Sequence, residues 1–230
     1  MRDTYYGELD EITGLLVDMT RLVSGAMERT SIALLDADLT LAEMVIDGDL
    51  AIDAVYRDIE KRGFEILAMQ QPVARDLRTI VTSLRMVADL ERSGDLALHL
   101  AKLARRRYPD CAIPVELRPT IMEMAHVAES IMTKVGTVIA TRDIEQAREL
   151  EADDDVMDEL HRTLFTIMLA DDWPHGVETA IDIALAGRYF ERFADHAVSV
   201  AHRVIYLVTG EHESVGGRDE ATGYHGGQHR

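Results

Sequence analysis

Apolar positions recur along this chain with the spacing of an α-helix. Between residues 8 and 35 they fall at Leu9, Ile12, Leu15, Leu16, Met19, Leu22, Val23, Ala26 and Met27, which predicts a long helix with one buried stripe. A second run starts at Asp38, breaks at Asp47-Gly48-Asp49, resumes through Ile52, Val55, Ile59, Phe64, Leu67 and Ala68, and stops at Pro72. A third run carries on from Pro72 through Leu77, Ile80, Val81, Leu84, Val87, Leu98 and Leu103 to Arg105-Arg106-Arg107. Three arginines suit the negative end of a helix dipole, or a docking patch for a partner. The segment YPDCAIP, 108–114, has a proline at each side and reads as a link. Beyond it the periodicity predicts helices over about 115–140, from about Asp143 to Leu169, and from Trp173-Pro174 to about Val208, with Gly210 as the stop.

Each half thus holds three helices, with a proline between its second and third. The expectation is an all-α fold of six helices, a tandem repeat of two three-helix bundles. The first repeat spans 1–110 and the second 111–212. Residues 213–230, rich in Gly, His and charge and without periodicity, are expected to form a disordered tail.

Composition narrows the function classes. Hydrophobic residues make up 47% of the 230 residues, enough for a substantial core. The formal net charge is −18, so nucleic acid and anionic lipid are expected to be repelled, and no nucleic-acid partner is foreseen. A single cysteine excludes an internal disulfide. Neither a signal peptide nor an apolar run of membrane-spanning length is visible, so a cytoplasmic protein without direct membrane insertion is expected.

The chemistry that stands out is acidic and duplicated. Glu91-Arg92-x-x-Asp95 in the third helix returns as Glu191-Arg192-x-x-Asp195 in the sixth, a period near 100 residues. Leu84, Glu91 and Leu98 share a helical stripe, as do Ala184, Glu191 and Val198, so each Glu points toward a bundle interior or its edge. Asp49 and Asp53 precede the long part of the second helix, and Asp154 and Asp158 do so in the second half. Two carboxylates four residues apart repel, and burying them costs more unless something positive lies between. One reading is internal pairing with Arg92, Arg192 or Arg85. The other is a metal: oxygen-rich shells built from facing acidic pairs hold hard cations, and His99 or His202 could add imidazole and shift the preference to iron, manganese or zinc over magnesium.

Catalytic signatures are missing. There is no phosphate loop, dinucleotide fingerprint, zincin motif or nucleophile elbow. The enzyme alternative is a di-metal carboxylate oxidoreductase in a helical bundle, for which Glu123-x-x-His126 supplies one of the two Glu-x-x-His motifs required.

Three stretches resemble the PhoU phosphate-regulation family: AMQQPVARDLRTI at 68–80, DLERSGDLALHLA at 89–101, and FERFADHAVSVAHRVIYLVTG at 190–210. The resemblance covers about 1–212. It implies a regulator rather than a catalyst, acting on the high-affinity phosphate transporter through its ATPase subunit and through the phosphate-sensing histidine kinase, and restraining starvation signalling when phosphate is ample. It also implies metal ions (Fe, Mn, Zn or Mg) at Glu91, Asp95, Glu191 and Asp195, with Asp49, Asp53, Asp154 and Asp158 facing them. A homodimer is expected from long exposed helical faces. The chain departs from the family pattern at His99 and Ser199, where Asn is usual, at Ser93, and at Phe193-Ala194, and it has DDWPHGVET where the first half has QQPVARDLR.

Overall fold

The computed structural model describes residues 2–211. It holds helices α1 (Arg2–Asp36), α2 (Leu39–Gln70), α3 (Ala74–Arg107), α4 (Arg118–Thr141), α5 (Ile144–Met168) and α6 (Gly176–Thr209), with one 3-10 turn at Val115–Leu117 before α4. The described residues contain no strand. The expected tail at 213–230 lies outside them.

Local chemistry sets the helix ends. The Asp38 carboxylate accepts the Leu41 amide at 3.0 Å and caps α2. Asp143 accepts the amides of Glu145 and Gln146 and caps α5. Gly210, at φ +81°, closes α6 in the left-handed conformation that glycine adopts without steric cost. The break expected at Asp47-Gly48-Asp49 does not occur: α2 runs through it. One exposed glycine inside a helix costs only about 1 kcal/mol. Burial of Val45 and Ile52 on either side outweighs that.

Helices α1, α2 and α3 pack on one another, as do α4, α5 and α6, and the halves join where α1 meets α4 and α3 meets α6. The buried apolar residues of both halves form one cluster. Helices α3 and α6 run antiparallel. The Arg78 guanidinium lies over the Tyr206 ring at 5.7 Å, the His99 and Tyr189 rings meet edge-on at 5.4 Å, and Arg106 and Arg107 grip Asp182. The 108–114 link is laid against the structure: Ala112 and Ile113 are buried, and Cys111 Sγ donates to the Leu35 carbonyl at 3.0 Å. Arg118 secures the same corner through the Leu35 carbonyl and, at 2.6 Å, Asp36.

The Arg105–Arg107 cluster therefore does more than complement a helix dipole. Asp182 of α6 is 2% exposed and takes charge-assisted hydrogen bonds from both Arg106 and Arg107. A second carboxylate, Asp89 of α3, is 3% exposed and is held from α6 by Arg203 at 2.7 Å and His196 at 3.4 Å. Each half thus buries one acid that the other half neutralises, and breaking either pair would strand a buried charge.

Candidate metal centre

In the first half, α2 and α3 approach closely because residue 94 is glycine: a Cβ there would lie 3.1 Å from Ile52. This contact sets the acidic pairs of the two helices face to face. Burial pushes the Asp49 carboxyl above its ordinary range, and the charges of Asp95 and Asp53 push it further, while Lys102 and His99 pull it back. Glu91 is raised by burial, then by Asp95 and Asp53, with Arg92 opposing and Asp49 adding. Asp49, Asp53, Glu91 and Asp95 are therefore one electrostatic cluster. The inward-turned arginine of the pairing reading is not Arg92, which is exposed and reaches Asp89 at 3.4 Å, nor the exposed Arg85. The cation that does bind in the cluster is Arg57, at 2.6 Å from Asp53.

The second half repeats the frame with a different charge balance. Gly187 gives the close approach of α5 and α6, where a Cβ would meet His161 and Leu164 at 2.9 Å. Glu191 is 6% exposed, against half-buried Glu91. Burial raises its carboxyl first, and Asp195 and Asp158 add to the rise. Arg188, one turn earlier on α6, donates to both Glu191 oxygens and opposes it. The pairing reading is thus met in this half, by Arg188 rather than by Arg192, which is exposed. The first half has Ala88 at the matching place. Asp154 is half-buried one turn before Asp158.

His161 escaped the sequence reading. It follows Asp158 by three residues on the same face of α5, a spacing that was visible beside Asp154 and Asp158. Its Nε2 is buried without a hydrogen-bond partner, and its imidazole is held toward the neutral form by burial and by Arg188, against Asp158. Tyr56 holds the equivalent place after Asp53 and donates to Glu60 at 3.1 Å. Of the two histidines weighed as ligands, His202 pairs outside the cluster, and His99 acts on Asp49 from a distance while its ring packs on another helix. His202 Nε2 lies 2.9 Å from Glu151, and the exposed His99 ring stands against Tyr189. Glu123 and His126, the basis of the oxidoreductase alternative, are both exposed on α4 and do not project into the bundle.

The donor set suits a hard cation: four carboxylates from two helices, with Asp53 and Asp95 close enough to raise the carboxyls of Asp49 and Glu91. Among the described residues, no three acidic, imidazole or thiolate groups are already gathered for a shared ion. The fit is one of charge and ligand type, and the side chains would have to converge.

The family model described as PhoU domain matches residues 16–104 and again 121–204. The chain belongs to the PhoU family. It is 47% identical over 210 residues to the phosphate-specific transport system accessory protein PhoU homolog 2 of Mycobacterium tuberculosis, covering 91% of this chain and 99% of that one. It is 46% identical to PhoU homolog 1 of Mycobacterium leprae, over 91% and 95% of the two chains. Among solved structures it resembles PhoU from Pseudomonas aeruginosa with a TM-score of 0.80 at 30% identity, over 90% of this chain and all of that one. The phosphate transport system regulatory protein PhoU of Streptococcus pneumoniae, at 23% identity and a TM-score of 0.83 over 92% of this chain and 100% of that one, shares the fold. Both matched segments end within the α3–α6 pair, so the PhoU repeat coincides with the duplicated bundle.

Proposed function

We propose that this PhoU-family chain is an accessory regulator of phosphate uptake that restrains both the high-affinity transporter and phosphate-starvation signalling when phosphate is plentiful. The observation carrying this reading is 47% identity across 91% of the chain to a relative named for the phosphate-specific transport system. Its partners are the ATPase subunit of the transporter and the phosphate-sensing histidine kinase, met in the cytoplasm. No helix among the described residues is long and apolar enough to cross a membrane, which is compatible with that role. The chain acts by contact and not by catalysis, a reading supported by the outward-facing Glu123 and His126. Deleting the gene should leave a phosphate-starvation reporter switched on in phosphate-rich medium, and restoring the chain should switch it off. A reporter that stays silent in the deletion strain would refute the reading.

Two further parts belong to it. The turn between α2 and α3 exposes Met69, Val73 and Leu77, and the region between α5 and α6 exposes Leu169, Val177 and Ile181. Apolar tips of this kind favour association, and the chain is proposed to form a homodimer. Light scattering should give twice 25.7 kDa at micromolar concentration. The acidic faces are proposed to take metal ions (Mg, Mn, Fe or Zn) through Asp49, Asp53, Glu91 and Asp95, and through Asp154, Asp158, Glu191 and Asp195. The first half should load first, because Glu191 is already satisfied by Arg188. Elemental analysis of a D49N/E91Q double variant should show the more tightly held metal lost. Unchanged stoichiometry would remove the metal from the account.

A further inference from the structure

A groove of about 510 Å³ opens between α3 and α6, on the flank of the acidic cluster. Its lining is basic: His99, Lys102, Arg105 and Arg106, with Leu103, Leu185 and Tyr189 as the apolar wall. No carboxylate lines it, in a chain whose formal net charge is −18. Surface cations in so acidic a chain should be drawn into ion pairs, yet Lys102 and Arg105 are only lightly committed. Among the described residues Lys102 makes no hydrogen bond or close ion pair and acts only at a distance, on Asp49. Arg105 reaches Glu43 at 3.9 Å, the outer limit of an ion pair. Arg106 gives one terminal nitrogen, Nη2, to Asp182. The Tyr189 hydroxyl meets no described hydrogen-bond partner, and its ring is fixed by the edge contact with His99.

From this we infer that the groove binds a phosphate-type oxyanion. A guanidinium fork and an ammonium converging on one concavity match an oxyanion carrying two or more charges, and a monocarboxylate would leave most of that positive charge uncompensated. Free phosphate and the phosphate end of a phosphorylated organic molecule share this chemistry. The size of the groove favours the second, since it falls within the range of about 300–1,000 Å³ usual for small-molecule sites and has an apolar and aromatic wall for the organic part. The groove flanks the first carboxylate cluster, whose Asp49 feels Lys102 and His99 from a distance, but no carboxylate lines it, and the inference holds whether or not the chain regulates phosphate uptake.

The test is calorimetric titration of the full chain in chelator-containing chloride buffer, with inorganic phosphate and with ATP as separate probes. Saturable binding of at least one probe at one per chain is expected. Lys102→Gln with Arg105→Gln should weaken it about tenfold or more, whereas Arg162→Gln, an exposed arginine of α5, should not. Binding of ATP alone assigns an organic phosphate, and equal binding of both assigns the free anion. Backbone amide shifts of the parent chain on titration give a second readout that needs no variant, and they should cluster at 99–106 and 185–189. Absence of saturable binding by both probes would overturn the inference, as would binding that the double substitution leaves intact or shifts that cluster elsewhere.

Discussion

At the scale of single residues, the buried Asp89 and the half-buried Asp49 and Glu91 respond to pH in opposite ways. Asp89 is buried, which alone would raise its carboxyl, but the hydrogen bonds of His196 and Arg203 prevail and hold it below the ordinary aspartate range. Its folded pKa is therefore lower than its unfolded one. The stability it contributes is complete above the ordinary aspartate value and disappears as pH falls through the folded value. Asp89→Asn should cost about 2–3 kcal/mol at neutral pH, since it takes the charge out of the hydrogen bonds that Arg203 and His196 make to this buried side chain, and should flatten the loss of stability in acid. Denaturant unfolding at a series of pH values reads both effects. Asp49 and Glu91 behave oppositely. Their raised carboxyls mean that the folded chain loses stability as pH rises through their folded values and regains it as pH falls back toward the ordinary carboxylate range. In chelated buffer, Glu91→Gln should stabilise the chain at neutral pH by about 0.5 kcal/mol. A metal that stabilises the parent should lose that effect in the variant, because a ligand of the folded state acts by mass action. Thermal melts with and without added Mn²⁺ distinguish these outcomes.

At the scale of helices, the apolar period carried most of the fold. Ile12, Leu16, Met19, Val23 and Met27 are buried as one stripe of α1, and the runs expected to start at Asp38 and Asp143 do start there, each capped by that side chain. What periodicity could not convey was partnership between helices distant in sequence. Arg106 and Arg107 read as end-of-helix charge, and their partner Asp182 lies on another helix of the other half. The carboxylate positions were legible because their pattern is duplicated. Arg188 was not, because Ala88 stands at its place in the first half, and His161, although its spacing from Asp158 is in the sequence, is masked by Tyr56 at the matching place. The glycines at the sites belong to this scale too. Gly187→Val would place a side chain against the side chains of His161 and Leu164, both 2.9 Å from the new Cβ, and make them shift. It should cost about 1–3 kcal/mol and disturb the Glu191 site, whereas the same change at exposed Gly14, which has open space around it, should cost under about 1 kcal/mol. Chemical denaturation of the two variants side by side checks the contrast.

At the scale of the whole molecule, two duplicated bundles share one core and cross-neutralise their buried acids, and the apolar tips at Met69, Val73 and Leu77 and at Leu169, Val177 and Ile181 stay exposed. The central claim is that the chain restrains phosphate uptake, and its most direct test is the initial rate of labelled phosphate entry into phosphate-replete cells that lack the chain. The account predicts a rate well above that of the parent strain, returning to the parent level when the intact chain is supplied. Equal rates with and without the chain would contradict it.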